Sequence, residues 1–297
     1  MNDCSDKAHK LSVRQHTVGR SEHWHGVRRQ RRAEMLVVHP AEADTGIRFM
    51  RHGESAATGM IPAHWDSVVE TNGGIVLGNA HGVTLHGAIP LLAALRVAGI
   101  DNAVVEVYGP RLSAEVGDFE FYLGKLADVG TQTQIPARRL QHVIDTIEIR
   151  DRFGFLRLSP DTRFRACVNV TTAVPGARIG SVCALLRSDF TEPDVAFNMA
   201  RCWPNEQEPD PTGDTGVRRS LRTFRALPNA LQVMVVGMIG HLALAGAPVA
   251  CNVYVDGSGP RLYQALLRAL MERGAVALTT VDAYRIRPNS TIAKDAG

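Results

Sequence analysis

His241 interrupts an otherwise apolar run, Met238-Ile-Gly-His-Leu-Ala-Leu244. An imidazole titrates close to neutrality, so this residue suits either general acid or base chemistry or a buried hydrogen bond to backbone. Cys202, in Ala-Arg-Cys, offers a thiol that becomes a nucleophile beside a base and is otherwise inert packing. Asp256, in Val-Asp-Gly-Ser-Gly, reads as a turn residue or as the partner of a cation or a histidine. His86 reads as a helix-entry or surface residue. His23 and His25 have the His-x-His spacing found in metal sites, which is a weak signal alone. Arg28, Arg29, Arg31 and Arg32 make a short basic run, either a solvated turn or an anion contact.

These groups sit in a chain of ordinary globular balance. Of its 297 residues, 45% are apolar and 21% charged, enough to build a sizeable core. A formal net charge of +3 is too small to point to nucleic acid, so no such partner is expected. The five cysteines are widely spaced and contain no Cys-x-x-Cys, which argues against a disulfide framework or a zinc knuckle and fits a reducing cytoplasm. The first sixteen residues lack the apolar core of a signal peptide. From Ala226 to Val255 there is no Asp, Glu, Lys or Arg. Gln232, His241, Pro248, Asn252 and three glycines divide that run into a helix, a turn and a strand, so buried core and not a membrane span is expected.

The elements that must position the candidate groups repeat. Gly-Pro-Arg-Leu occurs at Gly109–Leu112 and again at Gly259–Leu262. Each copy follows a helix (about 88–98 and 229–244), a glycine and a strand, and each precedes a second helix and a second glycine. Strand-like runs precede both units, among them EMLVVH and GIRFMR in the first and HVIDTIEIR, FGFLRL, FRACVNVT and SVCALLR in the second. The expected fold is α+β, two similar sheet-plus-helices domains packed face to face. The first domain spans 11–130, a polar linker 131–138, the second domain 139–284 and a tail 285–297. TEPDVAFNMARC, with Thr191 and Asp194 in capping-box spacing, reads as a short helix. The acidic stretch Pro204–Gly216 reads as a solvated loop or a lid.

Several stretches together resemble the zinc-dependent UDP-3-O-acyl-N-acetylglucosamine deacetylases, the LpxC family. They are HPAEADTGIRFMR, IPAHWDSVVET, LLAALRVAGIDNAVVEVYGP, MIGHLALAGAPV and GSGPRLYQALLRAL, in preserved order. The resemblance implies two α+β domains and an apolar passage for an acyl chain. It also implies functional positions that this chain fills differently. A Glu-His pair at the start of the first helix becomes Ile89 and Pro90. A His-x-x-x-Asp pair of zinc ligands becomes Val233 and Gly237, and the lysine beside that His becomes Met234. An Asp that orients a catalytic His becomes His241. That His, in Ser-Gly-His, becomes Pro260, and a threonine that stabilises an oxyanion becomes Cys202.

Zinc catalysis requires three protein ligands and an open position. Without the ion, the water to be activated keeps a pKa near 15.7 instead of about 7, a loss on the order of 12 kcal/mol. The expectation is therefore neither a zinc amidohydrolase nor a metal- or cofactor-dependent protein. One reading is an enzyme recruited for metal-independent cyclisation, isomerisation or dehydration of an apolar acyl- or polyketide-like molecule, with His241 as acid or base and Cys202 and Asp256 as lesser candidates. The pocket would then be lined by His86, Ile89, Pro90, Val233, Met234, Gly237 and Pro260. The other reading is a non-catalytic relative that binds an acyl ligand or a partner and regulates.

Overall fold

A computed structural model describes residues 13–25, 35–112, 116–152, 154–172, 180–188, 196–201, 216–257 and 259–280. The Arg28–Arg32 run, Cys202, residues 204–215 and Ser258 lie outside the described residues.

The first half begins with β1 (Arg14–Val18), β2 (Glu22–His25), β3 (Met35–Pro40) and β4 (Ile47–Arg51). A single turn, α1 (Ala56–Gly59), leads to β5 (Met60–Pro62) and to a small meander of β6 (Val68–Glu70), β7 (Val76–Gly78) and β8 (Thr84–His86). Then come α2 (Ile89–Val97), β9 (Ala103–Val107), α3 (Val116–Val129) and β10 (Thr131–Ala137). The second half runs β11 (Arg139–Val143), β12 (Ile147–Asp151), β13 (Gly154–Pro160), β14 (Phe164–Thr172), β15 (Gly180–Ser188) and β16 (Ala196–Arg201). It closes with α4 (Gly216–Arg225), α5 (Asn229–Leu242), β17 (Val249–Gly257), α6 (Pro260–Glu272) and β18 (Val276–Thr280).

The two halves share one topology. The first sheet has the order β2-β3-β9-β4-β5, and the second β12-β13-β17-β14-β15, with β16 added at its edge. In both, the central strand is antiparallel to one neighbour and parallel to the other: β9 to β3 and β4, β17 to β13 and β14. In both, the opening strand pairs antiparallel with the closing one, β1 with β10 and β11 with β18. The helix before each central strand is the one whose terminating glycine the sequence marks. Gly99 and Gly246 have φ of 71° and 83°, values that only glycine adopts without strain.

The halves are joined through their helices. α2 is apolar on nearly every side, and seven of its nine residues are buried, as a helix enclosed between neighbours must be. It packs on both α3 and α5. Phe119 of α3 meets Phe224 of α4 with ring centroids 4.5 Å apart, and one continuous apolar core runs through both halves. No helix among the described residues is long and apolar enough to cross a membrane.

Three sequence expectations change. Residues 131–137 are a strand and not a linker. β10 pairs with β1, and the join contracts to Arg138, whose side chain is 3% exposed. Its guanidinium donates to Asp101 Oδ1 at 2.9 Å and to the Gly99 carbonyl at 3.1 Å. Residues 196–201 are a strand paired along β15, so ladder formation overrides the capping-box signal. HVIDTIEIR is two strands, β11 and β12, in place of one. Helix α4, rich in arginine, was not anticipated.

Candidate functional site

The start of α2, the C-terminal half of α5 and the first turn of α6 converge. A Cβ on Gly240 would stand 2.5 Å from the Ile89 carbonyl oxygen and 2.6 Å from Ile89 Cγ2, so only glycine lets the two helices come this close. One turn earlier on α5, a Cβ on Gly237 would lie 3.9 Å from Tyr263 Cε2 of α6. Pro90 is buried in the first turn of α2, where its missing N–H is no loss. Met234 is half-buried against the core, and Val233 is 55% exposed.

His241 lies at the centre of this junction. It is 5% exposed, and its Nδ1–H donates to the Gly237 carbonyl at 2.5 Å. The ring lies flat on Tyr263, with centroids 4.6 Å apart. Burial is the main influence on its pKa and pushes it down to about 4, against which the bond to Gly237 acts. The imidazole is therefore neutral at pH 7, with the proton on Nδ1. Its Nε2 and the Tyr263 hydroxyl are both buried without a hydrogen-bond partner. Burial likewise pushes the Tyr263 phenol up.

The other expected residues are placed separately. Pro260, at the start of α6, borders a cavity of about 440 Å³. Thr71, Asn72 and Gly73 form one wall, Asp151 and Arg152 another, and Arg261 and Leu262 the third. Arg261 donates to Asn72 Oδ1, tying α6 to the β6–β7 turn. His86 ends β8, and its backbone pins the strand to Pro110 and Leu112. Asp256 is a strand residue opposite Phe155 and Asn169, not a turn residue. His23 and His25 share the exposed face of β2, alternating with buried Trp24. Tyr263, which sequence reasoning did not single out, is the aromatic ring that stacks on His241 among the described residues.

A family model described as UDP-3-O-acyl N-acetylglycosamine deacetylase matches residues 15–202. The chain belongs to this family. The UDP-3-O-acyl-N-acetylglucosamine deacetylase of Phenylobacterium zucineum (strain HLK1) is 35% identical over 281 residues, covering 88% of this chain and 90% of that protein. The namesake from Anaeromyxobacter sp. (strain Fw109-5) is 31% identical over 252 residues, covering 80% and 81%. A third, from Shewanella pealeana (strain ATCC 700345 / ANG-SQ1), is 35% identical over 130 residues, 44% of this chain.

The family model's match ends before α5, the helix that would carry two metal ligands by the family resemblance. The side chains at the corresponding positions, Pro90, Val233 and Gly237, have no lone pair to donate. His241, four residues on from Gly237, has its Nδ1 committed to backbone. Among the described residues no three His, Cys, Asp or Glu side chains are grouped so as to hold a metal. The residues present do not fit a zinc ion at this place.

Proposed function

We propose that this deacetylase-family protein binds an apolar, acyl-type small molecule and does not hydrolyse it. The observation that carries this reading is the state of His241. It is the one histidine among the described residues of α2, α5 and α6, and it is neutral, buried and covered by Tyr263. A group so enclosed is not open to a substrate in this arrangement, and its lowered pKa makes it a weak base. The cavity beside Pro260 supplies the binding space. Its volume falls in the range of small-molecule pockets, and it offers Pro260 to a chain and Arg261 to a polar head.

A second reading has one observation in its favour. His241 Nε2 and Tyr263 Oη are both buried and unpartnered, which costs free energy unless a ligand group or water sits between them. On that reading the pair performs a metal-independent proton transfer during cyclisation, isomerisation or dehydration.

Thermal unfolding of the purified protein with a series of saturated acyl thioesters and acyl-glucosamines separates the readings. Binding without turnover predicts a melting temperature that rises with ligand concentration by mass action, while the ligand is recovered unchanged. No rise with any chain length defeats the acyl-ligand proposal. Ligand conversion that disappears in His241→Gln replaces it with the second reading. Release of acetate from the acyl-glucosamine, dependent on zinc, defeats both.

A further inference from the structure

A second cavity, of about 220 Å³, lies at the seam of the two halves. Its walls come from the start of β4, the end of β5, the α2–β9 connection, the turn before β17 and the first residue of β11. Neither half encloses it alone.

Three arginines line it: Arg48, Arg96 and Arg139. Two carboxylates line it as well, but both are already engaged. Asp101 accepts from the Arg138 guanidinium at 2.9 Å and from the His16 backbone N–H at 2.9 Å. Asp44 accepts from Gln15 at 2.7 Å and is 3.1 Å from Arg139. Arg96 is left 3.8 Å from Asp101, beyond hydrogen-bond reach, and its Nε and Nη1 are buried without an acceptor. Its side chain is only 16% exposed. Desolvation and the neighbouring Arg138 lower its pKa to about 10, with Asp101 opposing. Arg48 spends Nε on the Thr45 carbonyl and is otherwise open. The open Arg48 guanidinium and the part of Arg96 that stays accessible thus border one small cavity, while Arg96 Nε and Nη1 lie out of solvent reach, and a buried cation short of acceptors is costly.

We infer that this seam cavity is a binding site for a small phosphate-bearing molecule, held by Arg48 and Arg96 and flanked by Arg139. The arginine fork matches the oxygens of a phosphate. The volume lies below the usual range for drug-sized ligands, which limits the occupant to inorganic phosphate or a short phosphomonoester. The site is separate from the α2–α5–α6 junction, so it stands or falls independently of the acyl-ligand proposal.

Calorimetric titration of the full chain with inorganic phosphate, glycerol phosphate and succinate, each against chloride of matched ionic strength, tests it. Saturable binding of a phosphate compound is expected. Arg48→Gln, an exposed substitution, should weaken it roughly tenfold or more, the loss of a charged hydrogen bond, without lowering the melting temperature. Arg96→Gln should abolish it. If Arg96→Gln does not fold, Arg48→Gln alone decides. The inference is overturned by heats no larger than the chloride control, by unchanged affinity in Arg48→Gln, or by succinate binding as tightly as phosphate. The tighter of the two phosphate ligands identifies the source.

Discussion

The imidazole of His241 and the phenol ring of Tyr263 lie 4.6 Å apart with planes 20° from parallel, although 22 positions separate them in the chain. The stack closes α5 against α6 and makes the histidine a pH-sensitive part of the core. Its folded pKa of about 4 lies below the usual 6.5, so the unfolded chain takes up its proton first as pH falls. The stabilisation from keeping it neutral is complete above pH 6.5 and is lost between there and about pH 4, on the order of 3 kcal/mol. Urea unfolding of the parent should show this fall. In His241→Gln, the part of the pH dependence centred between 4 and 6.5 should be missing.

Two glycines on the same helix should respond differently to alanine. At Gly240 the added methyl meets the Ile89 backbone at 2.5 Å, which overpacks the α2–α5 contact. Gly240→Ala should destabilise by about 1–3 kcal/mol. At Gly237 the nearest atom is 3.9 Å away and helix propensity alone acts, so Gly237→Ala should be neutral or stabilise by up to about 1 kcal/mol. Urea midpoints at constant slope check both.

Asp101→Asn should be among the most damaging single polar changes at the join. The carboxylate is 10% exposed and faces Arg138, 3% exposed, and Arg96 beyond it. Asparagine can still accept from the His16 N–H but removes the Asp101 charge from beside two poorly hydrated guanidinium groups. A loss of about 3–5 kcal/mol is expected, with little dependence on salt because the pair is buried. Denaturant unfolding at low and high ionic strength measures it.

The sequence made the repeat and its helices legible, because glycine stops and apolar periodicity are local signals. Gly99 and Gly246 stand where the helices were expected to end. β10 escaped because Thr-Gln-Thr-Gln is polar and mostly exposed, so it carries no alternation to distinguish it from a linker. β16 escaped because a favourable local cap signal competed with a ladder to β15 that lies far along the chain. The candidate site was only partly legible. Family correspondence singled out Ile89, Pro90, Gly237 and His241 as candidates, but Tyr263 carries no motif and enters only through packing between helices. The surplus of guanidinium donors at the seam was invisible for the same reason: Arg48, Arg96 and Arg139 are ordinary charges until the two halves close around them.

If Pro90, Val233 and Gly237 hold the places of metal ligands, putting donors back should recover metal binding. The backbone is suited to it. Val233 and Gly237 are four apart on α5, so their side chains share a face, and Gly237 has room for a Cβ. Ile89, beside Pro90, already touches Gly240 of the same helix, which keeps the start of α2 within reach. A triple variant, Pro90→His, Val233→His and Gly237→Asp, offers two imidazoles and a carboxylate, a set that zinc accepts with a fourth position open. Without metal it should be less stable than the parent, since a buried imidazole replaces proline. With zinc its melting temperature should rise in a saturable way that a chelator reverses, and metal analysis after dialysis should find close to one ion per chain in the variant. A folded triple variant with no zinc would mean that these three positions do not converge, and the correspondence with the family's metal site would have to be redrawn.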